Sequence, residues 1–147
     1  MKTTVNFKQP DAAENIEMPG IRMTVILSTE CSGGKLTIIE DEVNVGAGSP
    51  TYTCNREDKV ILVNEGKFMI SANGEQYLAE KGCNIFIPKG TMHNFKNVGT
   101  VTGKLLITLT PGGHEHFLKD LSQSVKVFGQ NYEVMNNVAR KYDVVMA

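Results

Sequence analysis

Tryptophan is absent from this sequence, proline and cysteine are scarce at five and three residues, and neither sign of charge is in excess. With 15 Lys+Arg against 16 Asp+Glu the formal charge is −1, and no block of like charge occurs. The electrostatic footprint of a nucleic-acid or anionic-membrane binder is therefore missing. No apolar run approaches a membrane span, and the first twenty residues contain nothing like a signal-peptide core, so the reading predicts a cytoplasmic protein with no membrane partner. Cys31, Cys54 and Cys83 are odd in number and lack a C-x-x-C pair. That argues against a disulfide scaffold or a structural zinc knuckle and predicts free thiols. What is plentiful is apolar surface, 41% of the 147 residues, enough for one real core and one domain over residues 1–147.

Short runs rich in Val, Ile, Thr, Phe and Tyr fill the centre of the chain: Arg22 to Ser28, Lys35 to Val43, Val60 to Asn64, Lys67 to Ser71 and Glu75 to Ala79. Asn84 to Ile87, His93 to Asn97 and Lys104 to Thr110 follow. Glycine-bearing turn signals separate them, and Asn73-Gly74 is the sharpest, since a two-residue type I′ hairpin needs positive φ at both central positions. Many strands with no helix between them predict a mainly β sandwich or barrel over about residues 20–111.

The tail, residues 112–147, reads differently. Phe117, Leu118 and Leu121 follow Pro111-Gly112-Gly113 at helical spacing, and Tyr132, Met135, Val138, Ala139 and Tyr142 form a second stripe. Asn131 fits an N-cap, with Glu133 in the first turn and Arg140 and Lys141 near the end, in the sense of the helix dipole. Two terminal helices packed on the barrel are expected. His114 and His116 form an H-x-H, but at the start of a helix residues two apart face different ways, so a solvated helix start is expected there.

From Gly82 to Asn97 the sequence fits G-x5-P-x-G-x2-H-x3-N at every fixed position: Gly82, Pro88, Gly90, His93 and Asn97. Pro88 ends a strand, Gly90 permits a tight reversal, and alternation sets Phe95 and Asn97 on the same face as His93. This stretch resembles the second motif of the cupin superfamily. Gly46 and Gly66 fit the frame of the first cupin motif, and the wider sequence is similar to small quercetin-dioxygenase-like single-domain cupins. The resemblance implies a double-stranded β-helix (jelly-roll) barrel with an internal ligand pocket, commonly paired as a homodimer.

In metal-binding cupins two histidines and a glutamate from the first motif join the second-motif histidine on one ion. Here those positions hold Tyr52, Cys54, Lys59 and His93, so three of the four are changed. Lys59 brings a positive charge to a place built for a cation. Unit charges about 4 Å apart interact by roughly 4 kcal/mol at an effective dielectric of about 20, doubled against a divalent ion. The expectation is a site with no cofactor, in which Lys59 attracts a carboxylate or enolate. Counting one residue differently puts Asp58 in the acidic slot, and Cys54, Asp58 and His93 would then suit a divalent transition metal such as zinc.

Blander readings stand beside these. His93 equally reads as a hydrogen-bonded barrel histidine, Cys54 as a plain buried thiol, Tyr52 as amphipathic packing and Lys59 as a lysine snorkelling to solvent. Met69 and Met92 could line the pocket, with core filling the default. Three functions follow: a pocket binding a small anionic or aromatic molecule through Tyr52, Cys54, Lys59, His93 and Phe95; a metal-independent acid–base isomerase or epimerase using His93 and Tyr52; and a metal-dependent dioxygenase with irregular ligands. The first is preferred, because no carboxylate is securely placed to orient His93.

Overall fold

Period-two alternation decides what each strand contributes to the interior. The computed structural model describes residues 3–147. In chain order its elements are β1 (Glu14–Met18), β2 (Ile21–Leu27), β3 (Thr37–Val43), β4 (Tyr52–Cys54), β5 (Asp58–Glu65), β6 (Lys67–Ala72) and β7 (Glu75–Glu80). There follow β8 (Asn84–Ile87), β9 (Met92–Asn97), β10 (Gly103–Thr110), α1 (His114–Phe128), α2 (Tyr132–Arg140) and β11 (Val144–Met146). All neighbouring strands pair antiparallel, in one sheet ordered β1, β2, β3, β10, β5, β8 and another ordered β11, β4, β9, β6, β7. Sequence neighbours repeatedly fall on different sheets, which is the jelly-roll arrangement of a β-barrel.

β3 buries Thr37, Ile39, Asp41 and Val43, and β10 buries Leu105, Ile107 and Leu109 on the same inward face. From the opposite sheet Phe68, Ile70 and Phe95 meet them, with the Phe68 and Phe95 rings edge to face at 6.2 Å. Each such fully buried side chain contributes about 1.5–3 kcal/mol, which makes this the main source of barrel stability. The Asn73-Gly74 expectation holds: Ala72 pairs with Glu75, and φ is 52° and 82° at the two turn residues. Gly90, at φ 83°, turns the chain from β8 into β9.

The tail forms its own cluster, in which Phe117, Leu121, Met135 and Ala139 pack against Tyr52 and Cys54 of the barrel. Asn131 caps α2 as expected, its Oδ1 accepting from the Val134 N–H at 3.1 Å. α1 starts at His114, three residues before the first apolar residue of its stripe, and Glu115 ties that start to the β2–β3 connection through Thr29. Strands β1, β4 and β11 lie outside the runs that the sequence marks as strands; they span only five, three and three residues. β11 returns the chain end to the barrel, pairing Val144 with Cys54 and Met146 with Tyr52. No helix among the described residues is long and apolar enough to cross a membrane.

Candidate functional site

The two sheets deliver three polar side chains to one point. Tyr52 on β4 and His93 on β9 are direct cross-strand partners, while Lys59 reaches toward them from β5 on the facing sheet. Lys59 Nζ lies 2.9 Å from the Tyr52 hydroxyl and 2.8 Å from His93 Nε2. His93 Nδ1 is 2.8 Å from the Thr91 carbonyl oxygen, so Nδ1 carries the proton and donates it, leaving Nε2 to accept from Lys59. Burial and the adjacent lysine push the His93 imidazole down to about 4, which keeps it neutral and accepting. Burial raises the Tyr52 phenol. For Lys59 burial opposes the charge, but Tyr52, Cys54 and Asp41 outweigh it and hold the lysine above its ordinary value.

Lys59 does not snorkel; it is 3% exposed. It shares the inward face of β5 with Ile61 and Val63, whereas Asp58 sits one residue earlier on the other face and its Oδ1 accepts from the Lys89 N–H at 2.9 Å. The alternative set Cys54, Asp58 and His93 is therefore not brought together. Where the family implies an ion, the donors here do not suit one. The Lys59 nitrogen lies within hydrogen-bond distance of two of the three other residues at the family's ligand positions, Tyr52 and His93, so the barrel centre fits an internal cation in place of a bound one.

Beside this cluster runs a cavity of about 320 Å³. Ile39, Ile107, Leu109 and Phe95 wall it on the barrel side, and Phe117, Leu121, Met135 and Met146 close it from the tail. Tyr52 and Lys59 are the expected polar residues that line it; His93 and Cys54 are buried next to it without lining it. Met69 and Met92 do not line it either, and Met92 is half exposed. Cys31 and Cys83 lie in connecting segments away from it, as free thiols.

Two titratable lining residues are not among those the sequence assigns to the site. Asp41 is buried, and its Oδ1 has no hydrogen-bond partner among the described residues. Burial raises its carboxyl to about 7 against a partial opposing pull from Lys59. Its signal was available, since it alternates in step with Ile39 and Val43. His114 corrects the expectation of a solvated helix start: it is 3% exposed and stacks on Tyr52 with ring centroids 6.4 Å apart. Burial, then Lys59, lowers its imidazole well below the ordinary value. His116 does turn the other way, to a half-exposed contact with Glu30 at 3.1 Å. Helix spacing separated the two histidines correctly but gave no sign that the helix start is tucked under the barrel.

Residues 39–109 match the cupin domain family. An uncharacterised protein of Methanocaldococcus jannaschii is 29% identical over 84 residues, 56% of this chain and 67% of that one. Among solved structures, KdgF from Halomonas sp. is 19% identical with a TM-score of 0.68 over 77% of this chain and 99% of its own. Pac13, a Streptomyces protein described as a unique nucleoside dehydratase, is 18% identical with a TM-score of 0.64 over 77% of this chain and 88% of its own. With the two-sheet jelly roll and the intact second motif, these likenesses agree: residues 39–109 match the cupin domain family, and the chain has the fold of the cupin structures it resembles.

Proposed function

We propose that the cavity binds a small organic anion with an apolar body, its carboxylate, enolate or phenolate held by Lys59 and Tyr52 with no ion at the barrel centre. The observation that carries this reading is a buried lysine nitrogen on the wall of a mostly apolar cavity, beside the Tyr52 hydroxyl. Tyr52 and His93 fix its position, and at the roughly 4 Å contact used above an anionic head group gains up to about 4 kcal/mol from it. The apolar body packs against Ile39, Ile107, Phe95 and Phe117, where area removed from water adds about 25 cal/mol per Å².

Calorimetric titration of aromatic and medium-chain carboxylates beside their uncharged amides tests this. Acids are expected to bind and Lys59→Met to weaken them at least a hundredfold while barely changing the amides. Equal binding of acids by Lys59→Met, or preference for the amides in the wild type, would overturn the reading.

A second reading, metal-independent proton transfer, draws support from Asp41, a buried carboxyl near neutrality on the same cavity wall, its Oδ1 without a partner among the described residues. The fold likeness to a dehydratase is compatible with it. Deuterium exchange into a bound ligand, followed by NMR, is expected to stop in Asp41→Asn and to slow in Tyr52→Phe. Exchange that persists in Asp41→Asn removes this carboxyl from any such chemistry, and persistence in His93→Ala is the outcome expected of an imidazole already committed to Lys59.

A further inference from the structure

Outside the Lys59 cluster, three metal-ligating side chains from separate parts of the chain converge. Cys54 ends β4, Glu57 sits in the β4–β5 connection and His114 opens α1. Their thiol, carboxylate and imidazole donor atoms all lie within 4.8 Å of one another, and all three residues are buried. Glu57 Oε2 and His114 Nδ1 have no hydrogen-bond partner among the described residues. Buried polar atoms are almost always satisfied, so two orphans in one three-residue cluster ask for a missing partner.

We propose that Cys54, Glu57 and His114 bind a zinc-type divalent transition metal, at a site displaced from the barrel centre toward the helical tail. Thiolate, imidazole and carboxylate are the donors that zinc accepts, at bonds of about 2.0–2.3 Å, which places donors roughly 3.5 Å apart. Closing the cluster thus takes movements on the order of 1 Å, within the reach of side-chain torsions. Thiolate and carboxylate together neutralise a divalent charge. Three protein donors leave one coordination position open, and His114 lines the cavity, so that position is accessible to water or a bound molecule. A second cluster, Glu30, Glu115 and His116, lacks this need: both Glu115 oxygens already accept hydrogen bonds and His116 is paired with Glu30.

The site does not depend on the ligand reading above, and the two fail separately. Titration of the reduced, metal-stripped chain with Co²⁺ is expected to give one equivalent bound, with a thiolate-to-cobalt charge-transfer band that Zn²⁺ displaces. Cys54→Ser should abolish the band, and Glu57→Gln should weaken binding at least tenfold. Lys59→Met should tighten it, because the lysine charge bears on both Cys54 and Glu57. His93→Gln should keep the band. The proposal is overturned if the wild type shows no such band, if the band survives Cys54→Ser, or if His93→Gln loses it while Glu57→Gln binds at full strength. Should Cys54→Ser fail to fold by circular dichroism, the Glu57→Gln and His93→Gln pair decides between the two positions.

Discussion

Glu115 and Asp41 are carboxyl groups sealed inside the same molecule, and they stand in opposite conditions. Glu115 accepts from the Thr29 N–H and the Thr29 hydroxyl at 2.6 Å each, and from the Thr37 hydroxyl at 2.9 Å. Burial alone would raise its pKa, but these bonds reverse the sign and hold it below the usual glutamate value. Asp41 has no equivalent among the described residues: burial raises it to about 7, and its Oδ1 is without a partner there, on the cavity wall. One carboxylate fastens α1 to the β2–β3 connection, while the other sits at the edge of the cavity. Burial by itself therefore says little about what an acid is for; its hydrogen-bond donors decide.

The largest expected effect comes from breaking the satisfied side. Glu115→Ala removes three charge-assisted bonds and strands their donors, and should cost about 5 kcal/mol in urea unfolding. A loss below about 1 kcal/mol would mean that water replaces the carboxylate freely.

Next comes the unsatisfied side. Asp41 binds its proton more tightly folded than unfolded, so its contribution is fully present below pH 3.8 and is lost as pH rises through about 7. Asp41→Asn should therefore be more stable than the wild type at pH 8, by up to about 4 kcal/mol, with the gap closing toward pH 4. Glu115 works in the reverse sense, its stabilisation being present above pH 4.5 and lost as acid protonates it. Denaturation midpoints of Asp41→Asn that track the wild type at every pH would show that water reaches Asp41 after all.

The mildest change trims a single donor. Thr37→Val should lower stability by about 1.5 kcal/mol and move the acid-unfolding midpoint upward, since Glu115 then holds its charge less firmly. An unchanged acid midpoint would assign the low Glu115 pKa to Thr29 and the backbone N–H donors without Thr37.

Most of the barrel was legible because its strands carry strong alternation and its turns carry glycine. The second cupin motif positions His93, Phe95 and Asn97 on one buried face, as their spacing implied. The motif frame ending at Gly66 puts Lys59 in the family's glutamate position, and Lys59 is the residue that points inward. What stayed hidden depends on contacts between distant segments. Glu57 lies in a connection with no periodicity, and His114 precedes the apolar stripe that marks its helix, so neither announces burial. Tyr52 and Cys54 belong to a strand of three residues, too short to show a pattern, and its pairing with β11 is set by how the tail folds back.

Lys59 sits on β5, hydrogen-bonded between β10 and β8, so its backbone has no freedom to slide. Phe117, Leu121 and Met135 face it from helices anchored at both ends, by Glu115 at the start of α1 and by β11 after α2. An immovable anchor under a tethered ceiling acts as a ruler. Across a homologous series of acids, affinity should climb with each added carbon until the chain meets the ceiling, then fall abruptly at one length.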